Sequence, residues 1–127
     1  VALGSSCGTI RVAVDQLRQK GIKAGLLKIR CFRPFPANEI ADLLSSMKAV
    51  AVLDRSDTFG GPGGPLFLEI RSALYDYETR PKLINFVYGL GGRELDLKLT
   101  FKAFEKAQNV AEGAAVGQVV EYLGVRE

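Results

Sequence analysis

The 127-residue sequence contains no histidine and only two cysteines, Cys7 and Cys31. Without histidine, the commonest general base at neutral pH and the commonest metal ligand are both missing. Two cysteines with no Cys-x-x-Cys spacing cannot supply the four thiolates of an iron–sulfur cluster, nor the four Cys/His ligands of a structural zinc site. They read instead as small, reduced side chains in a cytoplasmic protein. No apolar run approaches the roughly 18 residues a bilayer span requires, and no basic stretch precedes residues 1–3 as in a signal peptide. Clustered positive charge is absent too. The 17 basic and 14 acidic residues are interspersed, for a net charge of +3, so no basic face for nucleic acid is expected.

The remaining composition, 47% hydrophobic and 24% charged, is that of one globular domain able to bury a core without staples. Val1 opens an apolar tripeptide that runs into Gly4, as in a strand already under way. Residues 1–127 are therefore expected to form a single domain excised from a longer subunit.

Strand and helix signals alternate along the chain. After the strand at 1–3, Thr9 is a plausible N-cap for a helix to about Lys20, with Ile10, Ala13, Val14 and Leu17 on one buried face and Gly21 as its stop. A strand over 24–30 ends at the Pro-containing segment 31–36. Pro36 then suits the first turn of a helix whose apolar face is Ile40, Leu43, Leu44 and Met47. Residues 49–53 and 83–88 read as further strands, flanking a helix from Phe67 to about Tyr77. In the tail, Leu95, Leu97 and Leu99 alternate as a strand would, Thr100 suits a helix cap, and 116–125 reads as a final edge strand.

This alternation predicts a three-layer α/β/α fold with a mostly parallel central sheet and one antiparallel edge strand. In such sheets ligands and partners meet the loops at the carboxyl ends of the strands. Segments 4–8, 31–36, 54–65 and 89–93 should share that edge.

None of these loops carries a catalytic signature. Gly4-Ser5-Ser6-Cys7-Gly8 lacks the Lys-Ser/Thr of a phosphate loop and reads as a tight strand-to-helix turn. Ser56 has no base beside it, and Asp54 with Arg55 or another basic residue reads as a loop-fixing ion pair. The loop 60–65 holds four glycines, Gly60, Gly61, Gly63 and Gly64, and two prolines, which suits close backbone approach by another chain or domain. Gly91 and Gly92 suggest similar crowding, and Arg93 offers a guanidinium fork to a partner's carboxylate or phosphate. Arg55, Gly60, Gly61, Gly63, Gly64, Gly91, Gly92 and Arg93 are the candidate interface residues. No catalytic, cofactor-binding or metal-binding residue is assigned.

Three blocks, in order, resemble the alpha subunit of the pyruvate:ferredoxin oxidoreductase (pyruvate synthase) family: GIKAGLLKIRCFRPFP at 21–36, AVLDRS at 51–56 with the glycine–proline loop, and YGLGGR at 88–93. With YLGVRE at 122–127, the likeness covers nearly the whole chain. The resemblance implies a domain similar to the C-terminal domain of transketolase. It implies a parent complex that converts pyruvate, or next a branched-chain 2-oxoacid, with coenzyme A to an acyl-CoA, carbon dioxide and reduced ferredoxin, or the reverse. Thiamine diphosphate, magnesium and iron–sulfur clusters are expected in that complex, and none in this chain. The expected partners are the rest of the alpha subunit and the other subunits, with ferredoxin reached through the complex; no nucleic acid and no membrane are expected. The excised domain should be inactive, leave apolar interface surface uncovered and self-associate. The alternative is a module binding coenzyme A or a nucleotide through the strand-end loops.

Overall fold

The computed structural model describes residues 1–58, 60–89 and 94–124. The elements run β1 (Ala2–Leu3), α1 (Ser6–Gln19), β2 (Lys28–Ile29), α2 (Ala37–Leu44), β3 (Ala49–Asp54), α3 (Pro65–Leu74), β4 (Lys82–Val87), α4 (Leu97–Ala111) and β5 (Val120–Tyr122). β1 pairs with β2, and β3 with β4 and β4 with β5, all parallel. Val1 joins the two groups: its nitrogen donates to the Ala51 carbonyl at 2.7 Å, and its carbonyl accepts from the Leu53 amide at 2.9 Å. That exchange is a parallel ladder, so the strands lie in the order β2-β1-β3-β4-β5.

Every described pair being parallel corrects the expected antiparallel edge strand. Gly113, at φ +110°, reverses the chain after α4. The Gly113 and Ala114 amides satisfy the Val110 and Asn109 carbonyls at 3.1 and 3.0 Å. α4 is thus a crossover helix that brings the chain back to β4, where β5 enters opposite Asn85 and runs parallel.

The helices cover both faces. Cys7, Ile10 and Val14 of α1 and Ala103 and Val110 of α4 form one core with Leu53, Ile84 and Phe86 of the sheet. Ile40, Ala41 and Leu44 of α2 and Leu66, Phe67, Ile70 and Leu74 of α3 form the other, with Val50 and Val52. Each buried Val, Leu, Ile or Phe side chain contributes about 1.5–3 kcal/mol. The face predicted for α1 is the buried one, and Gly21 (φ +82°) closes that helix. The Gly21 and Ile22 amides bond the Arg18 and Leu17 carbonyls, the pairing of a left-handed C-terminal stop.

Other boundaries differ from the sequence reading. α1 begins at Ser6 with Ser5 as its cap residue, so Thr9 lies inside it. Leu97 and Leu99 belong to α4, because the Asp96 carboxylate accepts the Leu99 amide at 2.8 Å and caps the helix there. Thr100 sits one turn in, its hydroxyl donating to the Asp96 carbonyl. The 3.6-residue spacing of Thr100, Ala103 and Val110, all buried, prevails over the local alternation. Only Lys28–Ile29 of the expected strand 24–30 is paired, and β5 covers Val120–Tyr122 alone. On α2, Ile40, Ala41 and Leu44 are buried, whereas Leu43 is 57% exposed and Met47, beyond the end of the helix, 51% exposed.

Candidate strand-end interface

Because all described strands are parallel, their carboxyl ends share one edge, and a buried polar network lies there. Asp54 ends β3 and is only 3% exposed; Asn85, in the middle of β4, is fully buried. The Asp54 carboxylate faces the start of α3. Its Oδ1 accepts the Leu66 amide at 2.8 Å and its Oδ2 the Phe67 amide at 3.0 Å. These are first-turn N–H groups that have no partner within the helix. The positive end of the helix dipole adds to the attraction.

Asn85 ties the network to the loop. Its Nδ2 donates to Asp54 Oδ2 at 2.9 Å and to the Val52 carbonyl at 3.0 Å, while its Oδ1 accepts the Gly64 amide at 2.8 Å. Burial pushes the Asp54 carboxyl above its ordinary value, and the Leu66, Phe67 and Asn85 donors pull it back only in part. Among the described residues neither Arg55 nor another Lys or Arg side chain forms an ion pair with Asp54, contrary to the sequence reading, and Arg55 is exposed.

This geometry dictates the glycines. A Cβ on Gly64 would stand 2.2 Å from the Asp54 Cγ. One on Gly63, whose φ is +125°, would stand 2.9 Å from Asn85 Oδ1 and 2.8 Å from a Phe67 ring carbon. The close backbone approach expected of this loop is thus made to the chain's own β3 and β4. Gly63 and Gly64 are buried, Gly61 is partly buried, and Gly60 and Pro62 are exposed.

The neighbouring loops are held too. Tyr88 donates its hydroxyl to Ser6 Oγ at 2.8 Å, and Ser6 donates to the Leu3 carbonyl at 3.1 Å, which pins α1 against β4. Asp57 Oδ1 accepts the Thr58 amide, and Asp57 Oδ2 accepts the Tyr122 hydroxyl from β5. At 31–36, Arg33 pairs with Glu69 of α3 at 2.8 Å and its guanidinium lies over the Phe32 ring. A cavity of about 330 Å³ opens at this edge between Gly4, Ser5, Asp54, Arg55, Ser56 and Tyr88. Of the candidate interface residues, the structure brings Arg55, Gly60, Gly61, Gly63 and Gly64 together. Gly91, Gly92 and Arg93 lie outside the described residues. Asn85 was missed by the sequence reading, although one amide inside the apolar run Leu83-Ile84-Asn85-Phe86-Val87 marks a buried polar group in need of partners.

The donor set does not fit a metal cofactor. Cys7 is buried in the first turn of α1, and Cys31 is exposed with its Sγ against the Pro34 carbonyl. Three N–H donors already occupy the Asp54 carboxylate, one on Oδ1 and two on Oδ2. Among the described residues no three His, Cys, Asp or Glu side chains converge.

Residues 1–99 match the family described as pyruvate:ferredoxin oxidoreductase core domain II. Pyruvate synthase subunit PorA of Thermotoga maritima is 47% identical over all 127 residues, which correspond to 31% of that protein. Ketoisovalerate oxidoreductase subunit VorA of Pyrococcus horikoshii is 38% identical over 126 residues, 99% of this chain and 32% of the relative. Pyruvate synthase subunit PorA of Methanosarcina barkeri is 39% identical over 112 residues, 88% of this chain and 28% of the relative. The chain therefore spans about a third of the length of the relatives it matches, and it belongs to the pyruvate:ferredoxin oxidoreductase core domain II family.

Proposed function

We propose that this chain is the assembly domain of the alpha subunit of a 2-oxoacid:ferredoxin oxidoreductase, with pyruvate as the 2-oxoacid. The observation that carries the reading is the likeness, over the full chain, to one segment of pyruvate synthase and ketoisovalerate oxidoreductase subunits. The parent complex would join the decarboxylation of the 2-oxoacid to transfer of the acyl group to coenzyme A, with ferredoxin taking the electrons. Thiamine diphosphate, magnesium and iron–sulfur clusters would belong to its other parts and would supply carbanion and electron-transfer chemistry there. The parent is proposed to be cytoplasmic; no described helix is long and apolar enough to cross a membrane.

The domain's own contribution is to hold a rigid edge. The Asp54–Asn85 network fixes the loop from within, so Arg55, Gly60 and Pro62 are presented outward in one backbone geometry. A contact surface that is already ordered loses little conformational entropy on docking. The remainder of the alpha subunit and the partner subunits are the proposed occupants of this edge.

The cavity beside Gly4 and Arg55 favours a second reading, a module that binds coenzyme A or a nucleotide. A thermal-unfolding titration separates the two. An assembly domain gives no shift with coenzyme A, whereas a binding module gives a shift that rises with the logarithm of ligand concentration once that exceeds the Kd. Such a shift in the isolated chain would replace the assembly reading.

A further inference from the structure

The cavity at the strand-end edge divides into an apolar floor and a polar rim. Leu3 and Leu53, on neighbouring strands, line it together with Pro65 at the start of α3 and Tyr88 just past β4. Leu53 and Tyr88 are withdrawn from solvent, and the Tyr88 hydroxyl is already bonded to Ser6. Ser5, Arg55 and Ser56 stand on the same wall and are exposed.

Charge is distributed as unevenly as polarity. Two charged side chains line the cavity, Asp54 and Arg55. Asp54 is only 3% exposed, and its carboxylate is satisfied by the Leu66 and Phe67 amides and by Asn85. Arg55 makes no ion pair among the described residues. Asp57, two residues further on, accepts from the Thr58 amide and the Tyr122 hydroxyl instead. The Ser5 side chain makes no cap bond to α1, and among the described residues the Ser56 hydroxyl has no hydrogen bond either. One unmatched guanidinium with two hydroxyls beside it suits a single negative charge.

Size and charge together select the ligand. At about 330 Å³ the cavity lies at the small end of the range for ligand pockets. A phosphate dianion would set two charges against one guanidinium, with the buried Asp54 carboxylate close by. A carboxylate brings one charge, and its two oxygens match the fork of an arginine. A short methylene stem behind it would bury apolar area against Leu3, Leu53 and the Tyr88 ring.

We propose that this cavity is the anchor pocket for a carboxylate-bearing side chain of a partner subunit, held by Arg55 and the Ser5 and Ser56 hydroxyls. The inference rests on the reading of this edge as a subunit contact and names the chemistry of the group that docks there. Interfaces concentrate their affinity in a few anchors of this kind, each seated in its own pocket.

The test has two arms. In the first, the 127-residue chain is titrated with propionate, the head and stem of a glutamate side chain, and followed by amide NMR. Propionamide and inorganic phosphate at matched ionic strength are the controls. Propionate should shift the Gly4, Ser5 and Ser56 amide signals saturably, and either control should bind at least roughly 10-fold more weakly. Arg55→Gln should abolish the response, and Arg55→Lys should keep part of it. In the second arm, the full alpha subunit carrying Arg55→Gln should bind its partner subunits about 10-fold more weakly or worse. No response to propionate, or an equal response to propionamide, would overturn the proposal. Tighter binding of inorganic phosphate would overturn it in favour of a phosphate-bearing small molecule. Unchanged partner affinity of the Arg55→Gln subunit would overturn it as well. The Arg55→Glu, Pro62→Arg double variant judges the edge as a whole. If that variant loses its partners while Arg55→Gln keeps them, the pocket fails and the subunit-contact reading stands.

Discussion

Asn85 Nδ2 donates to Asp54 Oδ2 across a 2.9 Å contact between neighbouring parallel strands, with both side chains withdrawn from solvent. Through that contact the end of β3, the middle of β4, the glycine loop and the first turn of α3 become one unit. Four predictions follow from the unit and from the edge it supports.

Removing the carboxylate should be costly, because it leaves the Leu66 and Phe67 amides and the Asn85 side chain without their buried acceptor. Asp54→Ala is expected to lower stability by about 2–4 kcal/mol in urea unfolding, since each buried group left without a partner costs about 1–3 kcal/mol. Asp54→Asn retains one acceptor but aims an NH₂ at another donor, so it should cost about 1–3 kcal/mol. A loss below 0.5 kcal/mol (on the order of a surface change) for both variants would mean the network is not structural.

The glycines offer a sharper contrast. Gly64→Ala places a methyl 2.2 Å from Asp54 Cγ and should cost at least about 3 kcal/mol, since both overpacking and loss of the network contribute. Gly8→Ala, inside α1 with nothing within 4 Å of the new Cβ, should instead stabilise by about 0.5–1 kcal/mol. Thermal unfolding of the two variants side by side checks the sign of each.

The hydroxyl of Tyr122 is bonded to Asp57, which ties β5 to the loop after β3. That hydrogen bond to a carboxylate holds the phenol above its ordinary pKa near 10. The folded protein therefore binds this proton more tightly than the unfolded chain does. The contribution is present below the unfolded pKa and is lost as pH rises through the higher folded value. Asp57→Asn should bring the Tyr122 ionisation back toward 10 in an absorbance titration, with Tyr122→Phe identifying the signal.

Much of this architecture was legible in the sequence because its signals are local. Ile10, Ala13, Val14 and Leu17 share one face of α1 and are buried, and the uninterrupted apolar run at 49–53 is a strand covered on both faces. Where the reading failed, a longer-range partner decided the outcome. Leu95, Leu97 and Leu99 alternate, yet the Asp96 cap and the docking of α4 against α1 and the sheet make a helix of the last two. Leu43 and Met47 follow the helical spacing, but the surface they need is not supplied by the described residues. The loop glycines were noticed for their composition, while the reason for two of them, Asp54 and Asn85, lies on strands 10 to 22 residues away in sequence. No local pattern announces that pairing. The family came from blocks of sequence, not from chemistry.

The most direct test of the central claim is whether the outward side of that edge holds the oxidoreductase together. The tagged alpha subunit, carrying Arg55→Glu with Pro62→Arg, would be expressed beside its partner subunits and analysed by affinity capture and size-exclusion chromatography. Both positions are exposed and outside the Asp54–Asn85 network, so the variant should fold with an unchanged unfolding midpoint. The account predicts that the unsubstituted subunit elutes as a stoichiometric complex and that the folded variant loses its partners. A folded variant that still assembles fully would contradict the assignment of this edge to subunit contact.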